Sequence, residues 1–457
     1  MSFYEKRKNL YENIEKNVTV SGTEGCDFID VRKYAHLADG DVWTAAIQTA
    51  VDENDYVFIP DMGKTIYLDN PICLGSNKHI KVEGMQKIAL VAGTNTCMLR
   101  NKNIISGKDR AVTLSNPDTD ISVEGGFWTV TGNHMLRADK EDSIFGAWSV
   151  FIFSNVERIT IKNLKIHDSH SYSVQICNCR DFYISDIEFV EAHRDGIHLN
   201  GPARYGIIQN LKGRDMGDDM VAFNAWDWNT SALCFGELAY IITRNLDSED
   251  NEFRILPGEK LYEESENLDC DIYNCCFENI RGVYTFKLYG QPNISNAISK
   301  TNDVTGKLGD IYNLYFDNIV FPKIRTSGLN ALPVDGMFEI CANCKDIYIN
   351  GVTMETEPES MTGDGIKLIK VGPLSATWTN GSDNPEDWGE VFYPDAICEA
   401  DGIYLSDVAF VKDGKRVKTT DLSLLTKTVA LKMNEDYPNT RPKGGTGYGT
   451  LKNCTVE

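Results

Sequence analysis

Short runs of alternating apolar and polar residues fill the chain from about residue 56 onward. Ile197 and Leu199 flank His198, and Val221 and Phe223 flank Ala222, the period of two expected of a strand with one face buried. The runs recur at an interval. Ile159-Thr160-Ile161-Lys162-Asn163-Leu164 is followed 23 residues on by Phe182-Tyr183-Ile184-Ser185-Asp186-Ile187, and 23 further on by Tyr205-Gly206-Ile207-Ile208-Gln209-Asn210. A second series, Val174-Gln175-Ile176, Ile197-His198-Leu199 and Val221-Ala222-Phe223, lies between them, and less regular copies begin near Asp271, Ile311, Ile347 and Gly402. Several copies carry Asn, Asp or Ser just after an apolar pair, where a chain turns a corner. Repeats of this length, built from short strands with no helix between them, predict a solenoid. The signature of a leucine-rich repeat is absent, and the unit is too short for a four-stranded propeller blade. The fold expected is all-β, a right-handed parallel β-helix in which each strand pairs with its counterpart one coil on.

Two stretches depart from this rhythm before the repeats begin. Residues 1–25 are polar and read as an N-terminal extension, an amphipathic helix leading to a loop. Trp43, Ile47 and Ala50 recur at helical spacing behind Asp41, a candidate N-cap. This second helix is expected to cap the N-terminal end of the solenoid, whose strand edges would otherwise be open. Residues 26–457 then form a single β-helix domain, with the polar segment 371–395, carrying Trp378 and Trp388, as an insertion loop over one face.

Composition narrows the partners. Among 457 residues, 42% are hydrophobic and 25% charged, with a formal net charge of −22. Nucleic acid is an unsuitable partner for such a chain, because phosphate binding needs a basic footprint. No stretch approaches the roughly 20 apolar residues of a membrane span, and the first residues lack the apolar core of a secretory signal, so a cytoplasmic location is expected. The 13 cysteines sit in strand-like contexts and read mainly as small buried apolar residues in a reducing compartment. Cys341 and Cys344 form a lone C-x-x-C with no second pair and no nearby histidine, which is not a zinc signature.

The chemistry gathers at Asp195-Gly196 and Gly217-Asp218-Asp219. If Ile197 is matched with Val221, Asp195 falls opposite Asp219, and matched positions in adjacent coils lie about 4.8 Å apart. Three carboxyls that close cannot all ionise freely, so at least one pKa should rise. That asymmetry is what acid–base cleavage of a glycosidic bond requires. The plain alternative is that these are turn aspartates, as Asp181 and Asp186 are expected to be.

The same residues carry a resemblance. The chain resembles the pectin-lyase-like β-helix superfamily and, within it, polygalacturonase-type family 28 glycoside hydrolases. His193-Arg194-Asp195-Gly196 stands where that family has Asn-Thr-Asp-Gly, Gly217-Asp218-Asp219 where it has paired aspartates, and Tyr284-Thr285-Phe286-Lys287 where it has Arg-Ile-Lys. Residues 30–60 and the Gly-rich stretch 121–133 also resemble the family's opening coils. The resemblance implies Asp218 as general acid, Asp195 and Asp219 as the groups that position and deprotonate water, and Lys287 as a substrate contact. It implies inversion, with acid and base about 6.5–9.5 Å apart. The family's Gly-His-Gly histidine has no counterpart, and its arginine is Thr285 here, which leaves a uronic-acid substrate open. Arg254 or Lys260 are candidates to take over those roles. His198 alternates with the core residues and so faces away from the core, toward a cleft or solvent. Trp226 and Trp228 directly follow the aspartate strand and suit stacking on sugar rings, with Trp148 as a further aromatic candidate. His167, His170 and His193 do not have the spacing of a metal site, and no cofactor is expected.

Three functions remain in play. The first is an exo-acting, inverting glycoside hydrolase on a galacturonide or a neutral sugar. The second is a β-helix lyase, which calls for a basic residue as base and bound calcium, where no basic pair adjoins the acidic cluster in sequence. The third is a non-catalytic carbohydrate-binding or tailspike-like solenoid.

Overall fold

The computed structural model describes residues 3–94, 96–104, 116–130, 149–225, 236–260, 270–289, 307–322, 336–372, 375–378, 389–392, 397–432 and 446–457. Among these, 27 strands join one continuous sheet. Successive coils pair parallel: Ser149–His167 lies on Tyr172–Val190, which lies on Ile197–Arg214. That strand carries both Asp219–Asn224 and Leu238–Leu256, and Ile272–Tyr289 follows on the latter. Wound connections between parallel strands take the right-handed course. The chain is therefore a right-handed parallel β-helix.

In-register stacking places like on like. One interior column runs Ile161, Ile184, Ile208, Thr243, Phe277, Phe316, Ile349 and Leu405, all of them buried. Phe277 stacks on Phe316 at 4.6 Å and Phe286 on Phe338 at 5.0 Å, geometries in which aromatic pairs add to plain area burial. Corners repeat as faithfully. Asn163, Asp186, Asn210, Asn245, Asn279 and Asn318 all adopt φ between 53 and 59°, a left-handed conformation that Asn and Asp tolerate best after Gly. The amides of Asn210, Asn245, Asn279 and Asn318 each donate to the residue one coil back, at 2.7–3.0 Å. Asp181 (φ 59°) and Asp186 (φ 57°) are thus turn residues, as their sequence context implied.

The 23-residue interval first fails at the coil that follows Phe182. Phe182 pairs with Gly206 and not with Tyr205, because Asn200-Gly201-Pro202-Ala203 inserts one extra residue opposite Cys177–Cys179. The reason for the new register is steric. A Cβ on Gly206 would fall 2.0 Å from the Phe182 ring, so only glycine can sit beneath that phenylalanine.

Both N-terminal helices form. In α2 (Thr44–Glu53), Ala46, Ile47, Ala50 and Val51 enter the core cluster together with Trp43, so this helix covers the end of the solenoid. Its N-cap is Trp43, with no side-chain cap bond; Asp41 instead pairs with Lys64 at 2.6 Å. α1 (Phe3–Asn17) lies against the outer face of the coils. Ile14 packs with Ile207, Ile242, Cys276, Tyr315 and Tyr348, and Arg7 bridges Glu278 (2.7 Å) and Asp317 (2.9 Å). Within 371–395, Ser375–Trp378 and Gly389–Phe392 pair antiparallel, a two-stranded ribbon where a loop was expected. Cys341, Cys344 and Cys398 are buried, and burial pushes the Cys344 and Cys398 thiols well up. No described helix is long and apolar enough to cross a membrane.

Removing Arg7 leaves Glu278 and Asp317, both largely buried, facing α1 without a counter-ion. Arg7→Ala should cost about 1–2 kcal/mol. It should raise amide hydrogen exchange across residues 3–17 while exchange in the coils beneath stays unchanged.

Candidate active site

The coil register delivers Asp195 and Asp219 to adjacent levels. Ile197 pairs with Val221 and Asn200 with Asn224, and the Gly196 amide donates to the Asp219 carbonyl at 3.0 Å. Asp195, Asp218 and Asp219 are all buried, and one carboxylate oxygen from each lies within 4.8 Å of the others. This is tighter than the wide acid–base gap that the family resemblance implied. Gly196 and Gly217 permit the packing: a Cβ on the first would fall 2.7 Å from the Met220 carbonyl, and on the second 2.8 Å from the His193 carbonyl.

The next coil supplies the counter-charge. Glu252 pairs in register with Asp219, and Arg254 with Ala222. Opposite so small a side chain, the Arg254 guanidinium reaches back to Asp219 (Nε–Oδ2, 2.6 Å) and Asp218 (Nη2–Oδ1, 2.9 Å). Arg194 approaches the other carboxylate oxygen of Asp218, Oδ2, at 3.5 Å. One level further, Lys287 pairs in register with Arg254 and its ammonium contacts Glu252, which also accepts from the Tyr284 hydroxyl. Asn251 holds the Asp218 carbonyl at 3.0 Å. So a basic pair, Arg254 and Lys287, does adjoin the acidic cluster, contrary to the sequence expectation. It comes from coils about 30–70 residues downstream.

His198 is neither solvated nor exposed. Its ring is 1% accessible, stacks on Tyr172 at 3.7 Å, and places Nδ1 at 2.6 Å from Asp195 Oδ2. The amide nitrogens of Asn200 and Asn224 lie 3.4 and 3.3 Å from Nε2. With those amides donating, Nε2 is the acceptor and Nδ1–H donates to Asp195.

The balance of charge has a consequence. Four carboxyls (Asp195, Asp218, Asp219, Glu252) meet three fixed cations (Arg194, Arg254, Lys287) and the titratable ring of His198, so the cluster favours holding one proton among its carboxyls and that ring. Burial pushes Asp195 above the ordinary aspartate range, reinforced by the charge of Asp218 and opposed by the His198 hydrogen bond. Burial pushes Asp219 well up, opposed by Arg254 and reinforced by Asp218, Asp195 and Glu252. Burial alone would lower Arg254, but the surrounding carboxylates outweigh it and raise it well above its ordinary value. Arg254 is thus locked as a cation against two of the three aspartates, Asp218 and Asp219.

The predicted residues Asp195, Asp218, Asp219, His198, Arg254 and Lys287 form one contiguous network. Trp148, Trp226, Trp228 and Trp388 lie outside the described residues, and Lys260 sits in a short antiparallel pair with Lys307. Thr285, at the arginine position of the resemblance, donates to the Gly336 carbonyl. Arg194, Tyr172, Glu252 and Tyr284 were not picked out beforehand. Glu252 had a signal, since it alternates with Phe253 and so shares the outer face with Arg254. The structure also groups Asp168 with His170 and His193, whose donor atoms lie within 4.8 Å of one another.

No family model matches the chain, and no curated protein matches it. Solved structures do match. An exopolygalacturonase of Thermotoga maritima superposes with a TM-score of 0.57 at 13% identity, over 90% of this chain and 97% of that one. A 1,3-α-1,4-β-D-galactose-4-sulfate-3,6-anhydro-D-galactose-2-sulfate 4 galactohydrolase gives 0.45 at 14%, over 68% and 74%. The Streptococcus pneumoniae adhesin PfbA gives 0.40 at 13%, over 94% and 97%. At such identities the likeness shows the fold alone, a parallel β-helix, and leaves function to the site itself.

Arg254→Met tests the charge network. It should cost about 3 kcal/mol of unfolding free energy, and more as pH rises. A carboxyl whose folded pKa is raised contributes stability that is complete below its unfolded value and lost as pH climbs through the folded one. Without the guanidinium, Asp219 shifts further in the same direction. Denaturant midpoints measured from pH 4 to 8 should therefore diverge from the wild type toward the alkaline end.

Proposed function

We propose that this chain is a glycoside hydrolase whose acid–base unit is Asp195, Asp218 and Asp219. The observation that supports it above all is the excess carboxyl in a buried, cation-clamped cluster. Such a cluster retains a proton at a pH where exposed aspartates have lost theirs, which is the requirement for protonating a leaving glycosidic oxygen. Asp195 and Asp219 are the two carboxyls that burial raises, and Asp218, within 4.8 Å of both, exchanges the proton with them. Asp218, at 5% the most accessible of them, delivers the proton. Asp219 and Asp195 orient the attacking water. Direct displacement with inversion is the course that the family resemblance implies, and it is part of the proposal.

The substrate reading is a neutral sugar. Among the described residues, Arg254 is committed to two aspartates and Lys287 to Glu252, which leaves neither free for a uronate carboxylate. Exo action is part of the proposal, with the ribbon of Ser375–Trp378 and Gly389–Phe392 as the candidate barrier. A lyase is disfavoured because Arg254, raised by its carboxylate neighbours, is a poor base. A purely binding solenoid would gain nothing from burying an excess carboxyl.

Aryl glycosides and short oligosaccharides, neutral and galacturonic, provide the test, with product anomers followed by proton NMR. Turnover of a neutral substrate with inversion is expected, and Asp218→Asn should lower kcat at least about 100-fold. Retained configuration would overturn the roles given to Asp195 and Asp219. Turnover of galacturonides alone would overturn the substrate reading, and full activity of Asp218→Asn would remove the acid–base unit altogether.

A further inference from the structure

One coil toward the N-terminus from the aspartate cluster, the register stacks two histidines. His170 and His193 lie 23 residues apart on equivalent corners, tied by the His193 amide donating to the Ser169 carbonyl at 2.8 Å. Their rings stack at 4.4 Å with an 11° interplanar angle. Both aim Nε2 at one acceptor, Asp168 Oδ1, at 3.4 Å from His170 and 3.8 Å from His193. Asp168 is itself held at its corner by a left-handed backbone, φ 57°.

We propose that Asp168, His170 and His193 bind a divalent first-row transition-metal ion, with zinc as the type case. Two imidazoles and a carboxylate form a borderline donor set that suits zinc, copper or iron(II) rather than calcium or magnesium, which take oxygen. The spacing fits. Ligands at about 2.1 Å from zinc in tetrahedral geometry stand about 3.4 Å apart, close to the two histidine–aspartate distances, and the exposed His193 ring has to turn out of the stack for both Nε2 lone pairs to converge on the ion. His193 is 57% accessible on its side chain, which leaves the remaining coordination position on the solvent side. The neighbouring cation does not compete, because Arg194 reaches to Asp218. The aspartate cluster, by contrast, already contains the Arg254 guanidinium, so the two groups differ in kind. Gly217 packs on His193 and leads directly into Asp218, which puts the ion at the border of the proposed active site without making it part of the acid–base unit.

Zinc uptake by the metal-stripped protein tests this, by equilibrium dialysis with elemental analysis and by the visible spectrum of the cobalt(II) form. The wild type should bind one more equivalent than His170→Ala or His193→Ala, and either substitution should weaken that site at least about 100-fold. Asp195→Asn should leave its affinity within about threefold. Both histidine positions are partly accessible, and circular dichroism checks that the variants keep the fold. Equal zinc uptake by the wild type and both histidine variants would overturn the proposal, as would loss of the site in Asp195→Asn alone. Because metal content is read without substrate, this result is independent of whether the chain proves to be a glycosidase.

Discussion

In-register parallel pairing of successive coils is the constraint on which everything else depends. Each residue acquires a neighbour about 4.8 Å away on the same face of the next coil, so the structure is written in columns. Apolar columns fill the interior, asparagine columns turn the corners, and tyrosines stack outside, as Tyr315 does on Tyr348 and Tyr348 on Tyr404. Columns also bring together charges that are remote in sequence. A solenoid of this kind has little freedom to move a single side chain out of line, because its partners above and below share the same lattice.

The candidate active site uses that rigidity. Like charges stacked one coil apart repel, and the interior of a protein screens them poorly. The column containing Asp195, Asp219 and Glu252 would be self-destabilising if left alone. The parallel column of His198, Ala222, Arg254 and Lys287 provides the compensation, and Ala222 matters as much as the cations. Its small side chain leaves the space through which Arg254 reaches two aspartates. The result is a cluster one proton short of electrical balance, held by backbone pairing rather than by flexible loops. Preorganised charge of this type is useful where a proton must be given up at a defined point, and it tends to lower stability where it is built.

The histidine pair beside it follows the same logic with different chemistry. Stacking two imidazoles on one carboxylate is unfavourable if both are protonated, and favourable if a cation replaces the protons. The outer helix α1 shows a third use of columns: Arg7 joins Glu278 and Asp317, which are neighbours in register on successive coils. At the aspartate cluster and beneath α1, a charged side chain relieves the repulsion that stacking creates.

Much of this was legible in the sequence. Alternation at period two, the recurrence of strands and the corner asparagines are local signals, and they sufficed for the parallel β-helix and for aligning Asp195 with Asp219. The capping role of α2 was legible from Trp43, Ile47 and Ala50. What the sequence did not determine depended on coil length. The interval of 23 holds only where no residue is inserted, and the extra residue near Pro202 shifts Gly206 rather than Tyr205 beneath Phe182. The aspartates could be aligned because only one short coil separates them. Arg254 and Lys287 are 32 and 33 residues further along in turn, across coils of irregular length, so periodicity gave no register to place them. Likewise His170 and His193 were visible as residues, but Asp168 joins them only because a left-handed corner turns its carboxylate back toward both rings. Local pattern determines which face a side chain takes. Only the stacked coils decide which distant charge it meets there.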